Sequence, residues 1–235
     1  MTALILLIVF LAAYQQSLSG FGFSLVAMPI LVQLLGIQVA APLVAVLALT
    51  LNVINTLRWR RSLDFGEIKR LGVWMALGVP VGIWGVFALN ETIVKAGLGV
   101  LLVAYALYAL FKPEQLPTIS RRWAYPAGFL AGVLGGAYNT SGPPLILYGN
   151  LRNWSHDRFR AVLQGVFAFA AAMVVGGHLL ARNFTPDVLS ILGPAAVAVL
   201  AGVALGAITD RHLKPQHIRT WITVVTLVLG VSLFF

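Results

Sequence analysis

Two apolar stretches of this chain are broken in matching ways, and the breaks restrict what it can fold into. The first break reads Ser19-Gly20-Phe21-Gly22-Phe23-Ser24, then Leu25 to Met28, then Pro29. The second reads Gly135-Gly136-Ala137-Tyr138-Asn139-Thr140-Ser141-Gly142-Pro143-Pro144. Gly20 aligns with Gly135, Phe23 with Tyr138, Ser24 with Asn139 and Pro29 with Pro144. Glycine and proline end helices, and the Ser, Thr and Asn side chains offer hydrogen bonds where the helices end. A hydrocarbon layer holds no water for the freed N–H and C=O groups. Such breaks are tolerated there only when buried in protein or lining a cavity. Paired breaks in corresponding halves of a membrane protein point to a transport site.

Composition places these breaks in a membrane. Of 235 residues, 60% are hydrophobic and 10% charged, where a soluble domain is about one quarter charged. Mean hydropathy is +0.92. The chain is expected to be an all-α polytopic membrane protein. Residues 2–18 lack a preceding basic region and a small-residue cleavage site, so they read as the first membrane element and not as a signal peptide. The net charge of +9 does not call for nucleic acid, because the basic residues sit in short loops between apolar segments. There is no cysteine, which excludes disulfides and thiolate metal ligands.

Apolar segments run over roughly 2–18, 24–35, 38–58, 67–89, 92–111, 123–137, 143–150, 157–181, 187–209 and 216–235. A crossing needs about 20 residues, so 24–35, 123–137 and 143–150 are too short. Residues 2–35 as one helix would be about 50 Å long, too long for a hydrocarbon core of about 30 Å. The breaks are therefore expected to turn the chain, making residues 2–35 and 123–150 helical hairpins that enter and leave by one face. Three crossings then follow each hairpin. Under this scheme loops 58–70, 112–122, 150–160 and 210–219 share a side and carry every basic residue but Lys95 and Arg182. Eight simple spans would leave almost no bias. The positive-inside rule favours the hairpins, puts those loops in the cytoplasm and both termini outside it. An odd number of crossings per half makes the halves opposite in orientation. The expected architecture is two inverted-topology repeats, each a broken-helix hairpin followed by three transmembrane helices: residues 1–112, a cytoplasmic linker 113–122, and residues 123–235.

A helix that starts inside a membrane protein aims free N–H groups and the positive end of its dipole into the interior, which suits an anion. Pro143 and Pro144 fit the first turn of such a helix, with Thr140 or Ser141 as N-cap. In the first half Ser24 is placed to cap the arm Leu25 to Leu35, with Pro29 one turn in. The expected substrate-binding residues are Gly20, Gly22, Ser24, Tyr138, Asn139, Thr140, Ser141 and Gly142. Asn52 and Gln164 join them, either lining the path or serving as interhelical hydrogen bonds. Packing and kinking alone would be the other account of the breaks. The acids Asp64, Glu67, Glu91, Glu114, Asp157, Asp187 and Asp210 fall in loops or at helix ends. With no carboxylate in a segment interior, a cationic substrate is disfavoured. Gly78-x-x-x-Gly82, Gly128-x-x-x-Gly132-x-x-x-Gly136 and Gly202-x-x-x-Gly206 are expected to mark close helix packing. No catalytic motif, metal-ligand set or cofactor signature is present, so an enzyme is not expected, nor a metal or a cofactor.

The glycine-broken first segment ending in Pro29, its copy from Gly135-Gly136 to Pro143-Pro144, and the two-half layout resemble the TauE/SafE sulfite exporter family over essentially the whole chain. The resemblance implies an anion permease of a bacterial inner membrane, with its substrate site around Gly20 to Ser24 and Tyr138 to Pro144. Asn139-Thr140-Ser141-Gly142 is more polar than the family's glycine-rich version. The expected function is a secondary transporter moving a small anion, sulfite, a sulfonate or a related organosulfur anion, by alternating access. A passive anion channel and a non-transporting membrane scaffold are the competing readings. Expected partners are the anion and the lipid bilayer, with a homo-oligomer left open.

Overall fold

The computed structural model describes residues 2–111, 117–210 and 215–234, and of Phe87 and residues 215–222 the backbone alone. Among the described residues the regular structure is helical. The elements are α1 (Thr2–Ser19), α2 (Phe23–Leu35), α3 (Ile37–Arg58), α4 (Phe65–Ala88), α5 (Glu91–Leu110), α6 (Ala124–Tyr138), α7 (Gly142–Leu151), α8 (His156–Leu180), α9 (Pro186–Thr209) and α10 (Pro215–Ser232). Short 3-10 turns lie at Arg60–Ser62 and Arg121–Trp123. Helices α1, α3, α5, α8 and α9 are long and apolar enough to cross a membrane. Leu200 and Ile208 of α9 and Val100 of α5 project outward and exposed, as residues facing hydrocarbon do. The chain is an all-α polytopic membrane protein. Part of the expected linker and the loop holding Arg211 and Lys214 fall outside the described residues.

Both breaks reverse the chain. Gly20 and Gly22 have φ of 85° and 106°, a left-handed conformation that costs any residue with a Cβ. Asn139 takes the same region at φ 54°, which Asn tolerates best among side-chain residues. There the Asn139 N–H donates to Gly135 O at 2.8 Å and the Thr140 N–H to Leu134 O at 3.2 Å, closing α6 with the paired bonds of a Schellman end. The direction of the return arms follows from contacts at the helix ends. Arg58, at the end of α3, reaches Ser17 O at the end of α1, so α2 runs back before α3 descends. Tyr148, near the end of α7, donates to Glu67 near the start of α4. Arg152, just after α7, donates to Ile119 O, just before α6. Helix α2 continues through Pro29, so that proline does not interrupt the arm as its position suggested.

Glycines set how close the helices come. A Cβ on Gly78 or Gly82 of α4 would intrude on the carbonyl oxygens of Phe129 and Val133 of α6. A Cβ on Gly128, Gly132 or Gly136 of α6 would meet the carbonyls of Leu71, Met75 and Val79. Gly202 and Gly206 of α9 lie against the backbone of Phe10 and Tyr14 in α1 in the same way. In both pairs the contact positions rise together along the two chains, so α4 runs parallel to α6 and α9 to α1. Helix α3 packs on α8 and α5 on α10. Replacing every helix by the one five places along converts α4–α6 into α9–α1, and returns α3–α8 and α5–α10 to themselves.

Among the described residues, several on which the charge bias rests meet at one end of this bundle. Arg58 and Arg160 both bind Asp210, at 2.7 and 2.9 Å, and Arg158 binds Asp64 at 2.6 Å. Lys95 pairs with Glu91 at the start of α5, and Arg182 follows α8. Asp64 caps α4 by accepting from the Glu67 N–H at 3.0 Å. That bond, with Arg158 beside it and against a cost of desolvation, holds the Asp64 carboxyl below its ordinary value of 3.8.

A lowered folded value means that this cap stabilises above the unfolded pKa and is lost as pH falls through the folded one. Asp64→Ala is expected to cost about 1 kcal/mol near neutral pH, with the gap to the parent closing in acid. Thermal unfolding in detergent across that pH range measures it, and a gap independent of pH would exclude the carboxylate as its cause. On the packing side, Gly132→Leu should lower the melting temperature by an overpacking cost of about 1–3 kcal/mol or more. Gly193→Ala, where a Cβ meets nothing within 4 Å, should be neutral or slightly stabilising.

Candidate functional site

The two breaks line one partly open cavity, with about 40 Å³ of room for the centres of water-sized molecules. Gly22, Ser24 and Leu25 come from the start of α2, and Asn139, Thr140, Ser141 and Gly142 from the second break. Asn52 of α3 and Gln16 of α1 add polar side chains. Phe167, Ala170, Ala171 and Val174 of α8 form an apolar wall. No Asp, Glu, Lys or Arg side chain lines it, and no cluster of metal-ligating side chains occurs among the described residues.

Breaking a helix exposes carbonyls on one side of the gap and amides on the other, and this protein treats the two differently. The carbonyls at the end of α1 are occupied. Leu18 O accepts from the Arg160 guanidinium, Gly20 O from Gln164 Nε2 at 2.7 Å, and Phe21 O from Gln15 Nε2 at 2.8 Å. At the end of α6, Leu134, Gly135 and Tyr138 accept from Thr140 N–H, Asn139 N–H and the Thr140 hydroxyl. The amides at the helix starts belong to residues that line the cavity. At α2 the Phe23 N–H is taken by Gln16 Oε1 at 2.8 Å, while Ser24 and Leu25 N–H have no partner among the described residues. At α7 the Ser141 and Gly142 N–H are likewise open, and the next two residues are proline. Several carbonyls at each break are thus paired while four amides at the helix starts are open, in a cavity with neutral walls, and open amides at a helix start suit a negative group.

Two expected caps are not formed. Helix α2 begins one residue before Ser24, with Gly22 in the N-cap position, because only glycine takes the φ of 106° that turns the chain there. Ser141 occupies the N-cap position of α7 but makes no capping hydrogen bond, and the Thr140 hydroxyl is spent on Tyr138 O. Pro143 and Pro144 occupy the second and third helical positions, so neither of the amides a cap would serve exists. The Ser141 hydroxyl is thus left for the cavity.

Among the residues singled out in the sequence, Gly22, Ser24, Asn52, Asn139, Thr140, Ser141 and Gly142 line the cavity. Gly20, Gln164 and Tyr138 do not. Gly20 and Gln164 brace the first break from behind. Tyr138 turns toward α5, where a Cβ on Gly97 would strike its hydroxyl. Gln16 is the polar residue sequence reasoning left out of the site. It donates to Asn52 Oδ1 at 2.6 Å and accepts from Phe23 N–H, so it ties α1, α3 and α2 together. Its position three residues before Ser19 carries no signal apart from polarity in an apolar segment. The α8 wall was also missed, since Phe167 and Val174 look like any core residue. Below the first break Arg160, 3% exposed, has its stem against Gly20 and stacks on Trp59.

The model of the sulfite exporter TauE/SafE family matches residues 5–233. The chain belongs to the TauE/SafE sulfite exporter family. The match takes in both hairpins and the helices that frame the cavity, so the family's name belongs to the whole fold. A relative from Comamonas testosteroni, "Probable inner membrane transporter protein TsaS", is 27% identical over 164 residues, 68% of this chain and 67% of its own. No solved structure matches the chain. Membership in a family of membrane exporters places the chain among transporters.

If Gln16 holds the first break as described, Gln16→Leu leaves Phe23 N–H unpaired and releases Asn52. A loss of about 1–3 kcal/mol in unfolding stability is expected, measured by denaturant or thermal unfolding in detergent. Stability equal to the parent would show the network to be dispensable.

Proposed function

We propose that this protein is a secondary transporter of the bacterial inner membrane that moves a small sulfur-containing anion, sulfite or a sulfonate, by alternating access. The observation that carries this reading is the cavity shared by both breaks, with open amides of α2 and α7 and no charged side chain. In it the anion is held by the N–H groups of Ser24, Leu25, Ser141 and Gly142 and the side chains of Ser24, Asn52, Asn139 and Ser141. Gly22 allows the turn, Thr140 and Gln16 shape the rim, and Gly20 and Gln164 support the first break. Tyr138 bounds the second hairpin. The family description and the relative's name support transport and the sulfur anion.

The halves are residues 1–112 and 123–235, joined by the linker 113–122, and we read them as an inverted repeat. The most extensive helix pairings, α4–α6 with α1–α9, α3–α8 and α5–α10, interchange when the halves are swapped, which supports that relation. The end bearing Arg58, Arg158 and Arg160 is assigned to the cytoplasm and both termini to the outside. For movement the second hairpin is the better candidate. Its break has one side-chain bond to another helix among the described residues, Asn139 Nδ2 to Ala41 O at 2.9 Å. The first break is braced by Gln164, Gln16 and Arg160.

The test is flux in proteoliposomes. Ser141→Ala should raise the half-saturating concentration of sulfite or a sulfonate about tenfold, the cost of one hydrogen bond to a charged group, while folding is unchanged. Unaltered flux in that variant, or a protein that moves only cations, would overturn the anion site. Orientation is checked separately. The chain has no cysteine, so Arg182→Cys and His156→Cys each provide a single label. An impermeant maleimide on intact cells should modify the first and reach the second only after permeabilisation.

A further inference from the structure

We propose that the cavity takes a monovalent organic anion bearing a short apolar substituent, in preference to an inorganic dianion. This rests on the anion-site reading and names the ligand class for it. Charge balance is the first argument. The positive field comes from the starts of α2, 13 residues long, and α7, 10 residues long. Each helix start is equivalent to about half an elementary charge, so together they offset about one negative charge. No Lys or Arg lines the cavity to offset a second. Arg160 does not serve, because its guanidinium is engaged by Asp210 and Leu18 O. An uncompensated charge among protein walls is strongly disfavoured.

Hydroxyl groups supply an independent argument. Ser141 is 6% and Ser24 9% exposed, both line the cavity, and neither hydroxyl has a hydrogen-bond partner among the described residues. Both hydroxyl oxygens are accessible from the cavity, so each can donate to an acceptor placed there. The three oxygens of a sulfonate provide acceptors toward both breaks at once. The rest of the cavity calls for something else. The side chains of Leu25, Phe167, Ala170, Ala171 and Val174 offer only carbon. An anion that is oxygen on every side would leave its own oxygens dry against this wall. A hydrocarbon substituent on the sulfur would cover it and leave water, at a gain for each buried methylene.

The experiment is calorimetric titration of the purified protein at neutral pH and constant ionic strength. The ligands are methanesulfonate, 1-propanesulfonate, sulfate and sulfoacetate, the last two being dianions there. 1-Propanesulfonate should bind about tenfold tighter than methanesulfonate, from two further buried methylenes. Sulfate and sulfoacetate should bind at least about tenfold more weakly than methanesulfonate, reflecting an unbalanced charge worth no less than ~1.4 kcal/mol. Ala171→Leu, which fills the apolar wall, should abolish the gain of 1-propanesulfonate over methanesulfonate. If that variant does not fold, the ligand series on the unaltered protein decides. Sulfate as tight as methanesulfonate, or no gain with chain length, would overturn this proposal and leave the anion site standing. No binding of any of the four would overturn both.

Discussion

An interrupted helix in a low-dielectric interior has to find partners for the backbone groups it frees, and the rest of this fold is arranged around how it does so. Carbonyls at the end of α1 are met by Arg160, Gln164 and Gln15. Carbonyls at the end of α6 are met by the amides and hydroxyl of the turn itself. The amides at the starts of α2 and α7 are left to a cavity. A carbonyl left open there would cancel the positive end opposite it. Arg160, Gln164 and Gln15 are therefore placed as donors to carbonyls, and the cavity is left with open amides and no charged side chain among the described residues.

Close helix contact makes that arrangement possible. Each broken hairpin leans on a long helix from the other half, α1 on α9 and α6 on α4. Glycine on α9, and on both α4 and α6, lets backbones touch. Packing of this kind holds where bulk hydrophobicity cannot, because lipid is as apolar as the helix faces. With the hairpins fixed to opposite halves, α3 and α8 are left in the middle, and they supply Asn52 and the apolar wall. The site is thus built from both halves, and neither half contains it.

At the basic end, charge is neutralised locally. Asp210 lies between Arg58 and Arg160. Glu67, 1% exposed, accepts from Tyr148 and pairs with Arg70. These acids lie at helix ends, as the sequence indicates, yet Glu67 is buried beside Tyr148 of α7 and Asp210 is partly covered. Their role is to join helix ends that are far apart in the chain. That role is invisible in a linear reading, because it depends on which loops share an end.

Much of the architecture was legible in the chain. Segment lengths and the breaks located nearly every helix within a few residues, since hydrophobic length and Gly or Pro interruption are local properties. The meeting of the two breaks around one cavity was also legible, because both breaks have the same chemical cause. Tertiary structure alone decided which of those residues face the cavity. Tyr138 and Gln164 carry polar groups as suitable as those of Asn139 and Asn52, but helix rotation turns the first toward α5 and the second toward Gly20 O. It also recruited Gln16 and the α8 wall, whose positions depend on packing between helices distant in sequence. A sequence specifies where a helix must break, because that is fixed by the backbone at the break. Which orphan groups are then satisfied, and which are left for a ligand, depends on side chains brought from elsewhere in the fold.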